Sequence, residues 1–181
     1  IKKYKKMIKF VYQDKPKGTG DAVLKCKKYL KGKYFLMLLP DDLIIKRNCT
    51  KEMVALHKKN KCSVIATKTV NKKTVSRWGI LSPKNKKKTS FLITNIIEKP
   101  SIKSAPSNYA VIGRYILPSI IINEIKKLKP GVGREIHITD AIKKLIFKNE
   151  KFYANIFKGK YLDCGTLDGY IKSGIEIAKI K

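Results

Sequence analysis

The chain has 181 residues, 43% of them hydrophobic, enough for one domain (1–181) with a real core. Its formal net charge is +29, yet 38 of the 42 basic residues are lysines and only Arg47, Arg77, Arg114 and Arg134 are arginines. Arginine carries most bidentate recognition of phosphate and guanine, so an excess of lysine spread over every segment, beside 25 isoleucines, describes solvated faces rather than a nucleic-acid-binding surface. The positive field still draws in small polyanions. Cys26, Cys49, Cys62 and Cys164 are far apart with no C-x-x-C pair. That spacing suits free thiols in a cytoplasmic protein better than a disulfide frame or a zinc site. No signal-peptide pattern appears, and no apolar run approaches the roughly 18 residues of a membrane span.

In chain order, the abrupt start IKKYKKMIKF, without an initiator Met, reads as that of a fragment. Ile8 to Tyr12 alternates weakly and predicts a strand. Pro16, Gly18 and Gly20 then form a loop whose backbone can approach a ligand, and Asp21 is placed to cap a helix from about Asp21 to Leu30. Strand, glycine loop and helix start together make a common anion or nucleotide site, although an ordinary turn has the same pattern. Tyr34 to Leu39 is continuously apolar and stops at Pro40, Asp41 and Asp42. Such a run predicts a strand buried on both faces in the middle of a parallel sheet, with ligands just past its carboxyl end.

A helix follows over Thr50 to Lys59, with His57 read as a boundary residue, and then a strand over Cys62 to Val70. Trp78 to Leu81 and Phe91 to Ile97 form a hairpin around the lysine-rich turn PKNKKKTS. Tyr109 to Leu117 is a strand, Pro118 is placed to open a helix, and Pro130, Gly131 and Gly133 interrupt the chain. Thr139 to Phe147 is helical, Phe152 to Phe157 and Tyr161 to Asp163 are strands, and Thr166 caps a helix running to about Ile180. The alternation predicts an α/β fold with a mixed, mainly parallel sheet and an antiparallel flap at the hairpin.

Charged residues stand at three strand ends: Asp41 with Asp42, Glu98 with Lys99, and Asp163. Any one carboxylate is explained as a cap or turn residue. Together they match a chemistry. Two separated Asp residues suffice for Mg²⁺ when phosphates complete its octahedron. A nearby Lys neutralises a transferring phosphoryl group, and a Glu accepts hydrogen bonds from sugar hydroxyls.

The residues also resemble a known family. The glycine-loop run from Gln13 to Val23, LPDD (39–42), WGIL (78–81), IIEKP (96–100), APSNYAVIGRYIL (105–117), EIHITDAI (135–142) and LDCGT (162–166) occur in this order. The chain resembles the bacterial UTP–glucose-1-phosphate uridylyltransferases, or UDP-glucose pyrophosphorylases, from about Phe10 almost to its end. The related dTDP-glucose enzymes are the neighbouring alternative, matched less well by EIHITDAI and the APSNYAVIGRY block.

That resemblance implies a Rossmann-like nucleotidyltransferase fold and an enzyme that joins UTP and glucose 1-phosphate into UDP-glucose and pyrophosphate with Mg²⁺. It implies that Gln13 and Gly18 hold the uracil base and that Asp41 and Asp163 bind the metal. Gly79 then approaches the glucose, Glu98 binds its hydroxyls, Lys99 meets the sugar phosphate and Val111 packs near the sugar. Asp42 is given a supporting part only. Asp21 and Trp78 depart from the histidine and tyrosine usual in the family. The family's first strand and its G-x-G-T-R phosphate loop have no counterpart, so the chain reads as the C-terminal two thirds of the enzyme. As it stands it is then expected to be inactive, or a non-catalytic sugar-nucleotide binder. A homo-oligomer is compatible with this reading.

Overall fold

The computed structural model describes residues 2–180. Its elements in chain order are α1 (Thr19–Lys25), β1 (Tyr34–Leu38), β2 (Asp42–Ile45), α2 (Cys49–Asn60), β3 (Ser63–Thr69), β4 (Gly79–Lys84) and β5 (Ser90–Glu98). There follow β6 (Tyr109–Pro118), α3 (Ile121–Ile125), α4 (Ile138–Phe147), β7 (Phe152–Ile156), β8 (Lys160–Asp163) and α5 (Leu167–Ala178). Local chemistry sets several of these boundaries. The Asn48 side chain accepts the Lys51 N–H at 2.9 Å to start α2, and Thr166 accepts the Gly169 N–H at 3.1 Å to start α5. Helix α2 ends on Lys61 in the left-handed conformation.

Six strands pair in the order β1-β6-β3-β7-β5-β4, and Ile80 of β4 also meets Ala110 of β6. The strand β6 is therefore bordered on one side by β3 and on the other by β1 and then β4. Alternation along β3 divides the core between the two faces of the sheet. Ile65 packs with Phe91, Leu117, Ile142 and Phe152 on the face covered by α4, while Val64 and Ala66 pack with Met53 and Ile112 under α2. A separate ribbon, β2 with β8, sets Asp42 opposite Asp163.

The mixed α/β architecture and most elements stand where the sequence puts them, but the majority of pairings are antiparallel. Among the described residues only β3 and β7 run parallel. The reason is that β5 and β6 return antiparallel to their neighbours rather than by helical crossover. The strand β1 is not central. It pairs with β6 alone among the described residues, leaving Leu36 42% and Leu38 48% exposed. A continuous apolar run reports apolar faces, not the number of neighbours.

The stretch from Ile8 to Tyr12 is not a strand and joins no ladder among the described residues; Phe10 and Tyr12 are exposed. A strand exists only as part of a ladder. Helix α1 starts at Thr19 and is short, so Asp21 lies inside its first turn and caps nothing. Pro118 ends β6 instead of opening a helix, and α3 begins at Ile121. His57 is structural: its Nδ1 lies 2.6 Å from the Cys62 carbonyl and its ring meets Tyr34 edge-on. No described helix is long and apolar enough to cross a membrane.

Candidate active site

The β2–β8 ribbon gathers the acidic residues. Asp41 just precedes β2, and its carbonyl accepts the Cys164 N–H at 2.8 Å, so the turn after β8 is tied to the turn after β1. A Cβ placed on Gly165 would lie 3.0 Å from Asp41 Oδ2 and 3.3 Å from Asp163 Oδ1. Two carboxylates from distant parts of the chain thus converge on one point that no side chain occupies. Asp163 also accepts the Gly165 N–H at 3.0 Å and pairs with Arg77 at 3.4 Å.

Asp42, the adjacent residue, turns inward. It is 9% exposed, accepts the Gly113 N–H at 2.6 Å and accepts the Tyr161 hydroxyl. Burial pushes its carboxyl above the usual carboxylate range, against the pull of those two hydrogen bonds. The Tyr161 hydroxyl is pushed up in turn, chiefly by burial and by its bond to Asp42. Gly113 has no room for a side chain, since a Cβ would fall 2.3 Å from Asp42 Oδ2 and 2.5 Å from Leu39 Cβ. Asp42 therefore fastens the ribbon onto β6 and leaves Asp41 to face solvent.

The second group comes from the hairpin. Glu98 stands opposite Gly79 in the β4–β5 ladder, and its Oε2 accepts the Thr139 hydroxyl at 2.8 Å. A Cβ on Gly79 would meet Glu98 Oε2 at 3.1 Å, Thr139 Cγ2 at 3.3 Å and Val111 Cγ2 at 3.4 Å. Lys99 donates its N–H to the Trp78 carbonyl at 3.0 Å and holds φ 45°, a left-handed conformation that a non-glycine residue adopts only when its surroundings enforce it.

One cleft of about 480 Å³ is lined by Asp41, Gly79, Glu98, Lys99, Val111 and Asp163 together. Six of the eight site residues named from the sequence thus share it. Gln13 and Gly18 are not part of its lining. Gln13 Nε2 donates to Asp21 Oδ2 at 2.7 Å and to the Gly18 carbonyl at 3.2 Å. Gly18 has φ +96°, and a Cβ there would lie 2.7 Å from the Ile136 carbonyl oxygen. Its loop is docked on the segment before α4 by the Gly20 N–H to the Ile136 carbonyl and the Ile136 N–H to the Lys17 carbonyl, at 2.7 and 2.8 Å. Thr19, next in the chain, does line the cleft.

The cleft also holds residues that sequence reading left out: Arg77, Thr139, Gly165 and Tyr161. Thr139 and Gly165 lie inside quoted motifs, and Arg77 is a rare arginine just before WGIL; these were the available signals. Among the described residues no group of three or more His, Cys, Asp or Glu is arranged to cage a metal. The converging pair Asp41 and Asp163 nevertheless fits Mg²⁺, which takes one or two carboxylates and fills its remaining positions with water and phosphate oxygens.

The family profile described as Nucleotidyl transferase matches residues 1–179. The chain belongs to the nucleotidyl transferase family. This nucleotidyl transferase chain is 35% identical over 177 residues to UTP–glucose-1-phosphate uridylyltransferase 2 of Streptococcus pyogenes serotype M3, covering 94% of the chain and 59% of that protein. It thus spans somewhat more than half the length of that curated relative. A crystal structure of UDP-glucose pyrophosphorylase complexed with UDP-glucose superposes with a TM-score of 0.90 at 36% identity, covering 96% of this chain and 66% of that one. A UTP-bound UDP-glucose pyrophosphorylase (UGPase) from Acinetobacter baumannii superposes with a TM-score of 0.78 at 30% identity, covering 90% of this chain and 57% of that one.

Proposed function

We propose that this nucleotidyl transferase chain belongs to an enzyme forming UDP-glucose and pyrophosphate from UTP and glucose 1-phosphate, with Mg²⁺, in the cytoplasm. The observation that carries the reading is the convergence of Asp41 and Asp163 in the same cleft as Glu98 and Lys99. Carboxylates for a cation, an ammonium for a phosphate and a carboxylate for hydroxyls are the complement that a sugar phosphate and a nucleoside triphosphate require.

In the proposed reaction a phosphate oxygen of glucose 1-phosphate attacks the α-phosphorus of UTP. The bond from that phosphorus to the bridging oxygen breaks, and pyrophosphate leaves with the electron pair. No side-chain nucleophile is needed, and the protein works by alignment and charge screening. Lys99 meets the sugar phosphate. Glu98, held by Thr139, accepts hydrogen bonds from glucose hydroxyls. Gly79 and Val111 leave the space in which the sugar ring packs. Asp41 and Asp163 would hold the cation, whose charge, when bound, would offset that of the phosphate oxygens. Gln13 and Gly18 would hold the uracil base, and the Gln13 amide must then exchange its present bonds to Asp21 and Gly18.

Calorimetric titration of UDP-glucose into the 181-residue chain, with and without Mg²⁺, tests the reading. Saturable binding that weakens in Glu98→Ala is expected. Tighter binding of dTDP-glucose would favour the thymidylyl alternative, and no binding of either would end the sugar-nucleotide reading.

A further inference from the structure

A second cavity, of about 430 Å³, opens between α2 and the start of β5 and shares no lining residue with the active-site cleft. Its floor is Ser90 beside Asn155, directly opposite each other in the β5–β7 ladder. Both are more than nine-tenths buried, at 8% and 5% exposed. Buried polar groups in a sheet are ordinarily hydrogen-bonded, because an unmet one costs its full desolvation. Here the side-chain bonding is thin. Asn155 Nδ2 has only the Cys49 sulfur at 4.0 Å. Among the described residues the side-chain amide oxygen of Asn155 and the Ser90 hydroxyl have no hydrogen-bond partner, yet no partnerless side-chain atom is sealed from solvent. Both atoms therefore keep access to the outside, and the cavity they line supplies it.

The same cavity is lined by Lys59 at the end of α2, Lys87 before β5 and Lys158 after β7, three lysines from three separate segments. Glu52 is the one acidic residue in the lining, and Leu56 and Tyr153 supply apolar wall. In so lysine-rich a chain, three lysines in a lining carry little weight by themselves. The buried amide and hydroxyl that share it are not accounted for by composition.

We propose that this cavity is a second ligand site, separate from the active-site cleft, for a small phosphorylated metabolite. Its phosphate meets Lys59, Lys87 and Lys158, whose ammonium groups donate to phosphate oxygens, and its hydroxyl-bearing remainder bonds to Asn155 and Ser90.

The test uses the ¹⁵N-labelled 181-residue chain titrated with inorganic phosphate and then with glycerol 3-phosphate. The signals read are the Asn155 side-chain amide and the Ser90 backbone, against Gly79 and Gly165 in the cleft. Saturable shifts at Asn155 and Ser90 are expected, with glycerol 3-phosphate binding more tightly than phosphate. Asn155→Ala and Ser90→Ala keep every charge and should weaken glycerol 3-phosphate at least tenfold. Should Asn155→Ala fail to fold, Ser90→Ala and the exposed-site variants Lys87→Gln and Lys158→Gln carry the test, each weakening binding several-fold, while Lys126→Gln and Lys129→Gln change nothing. Unsaturable shifts spread over the lysine surface would overturn the proposal. So would shifts confined to the cleft, or Ser90→Ala binding like the parent.

Discussion

Gly79→Ala probes the sugar end of the cleft with a single methyl group. The added Cβ would lie 3.1 Å from Glu98 Oε2, 3.3 Å from Thr139 Cγ2 and 3.4 Å from Val111 Cγ2, so its neighbours must give by a few tenths of an ångström. Overpacking of this kind costs about 1 to 3 kcal/mol, and the lost backbone freedom of the unfolded chain returns about 0.4 to 1 kcal/mol. A net loss of roughly 1 to 2 kcal/mol lowers Tm by about 2 to 8 °C in a chain of this size. The effect on ligand is separate and of similar size. The methyl enters the space beside Glu98 and disturbs its 2.8 Å bond from Thr139, so UDP-glucose affinity should fall at least tenfold, or about 1.4 kcal/mol. Melting curves and calorimetric titration read the two effects separately. Gly174→Ala is the control: it lies in α5, its Cβ meets nothing within 4 Å, and it should stabilise slightly with binding unchanged. If Gly79→Ala binds UDP-glucose like the parent while melting only a few degrees lower, the sugar does not approach Gly79. A collapse of Tm beyond about 10 °C would assign the glycine to strand packing instead.

Lys99→Ala should weaken UDP-glucose binding about tenfold with little change in Tm, and in any form of the enzyme that turns over it should cost about 2 to 4 kcal/mol of transition-state stabilisation; activity within a few-fold of the parent would make Lys99 an ordinary solvated lysine. In Asp42 the folded carboxyl is raised by burial, so the fold binds its proton more tightly than the unfolded chain does. That contribution is present below about pH 4 and is lost as pH rises through the raised value, so the Tm of Asp42→Asn relative to the parent should increase from acid to neutral pH; a constant difference contradicts the assignment. All four cysteines are free, and burial pushes the Cys49 and Cys62 thiols up to about 11. Ellman titration of the folded chain should therefore show Cys26 and Cys164 reacting first, and equal rates for all four would refute the burial. The 181-residue chain alone should release pyrophosphate far more slowly than about 10 per second. UTP and glucose 1-phosphate together bring about six negative charges, whereas the cleft offers only Arg77 and Lys99 as fixed cations among its described lining residues. Ordinary turnover in a pyrophosphate assay would show that these two suffice.

What could be read from residues alone is what depends on neighbours in sequence. The cap at Thr166, the hairpin around PKNKKKTS and the apolar runs of β3, β5 and β6 are local, because a turn, a cap and a period-2 pattern each lie within a few residues. The strand-end carboxylates were legible for the same reason, and the order of the motifs supplied the family. What the tertiary structure alone decided is which neighbours a residue meets. The run at Tyr34 to Leu38 has the apolarity of a central strand, yet among the described residues it pairs with β6 alone, since apolarity does not record a pairing partner. Asp41 and Asp42 are identical and adjacent and both border the cleft, but Asp41 is exposed while Asp42 is buried against Gly113 and Tyr161. That division follows from the β2–β8 register, a ladder between segments more than a hundred residues apart. Gly79 and Gly113 carry the same lesson. Their missing side chains matter because Glu98 and Asp42 stand where a Cβ would be, and those distances arise only when the sheet closes β4 and β1 against β6.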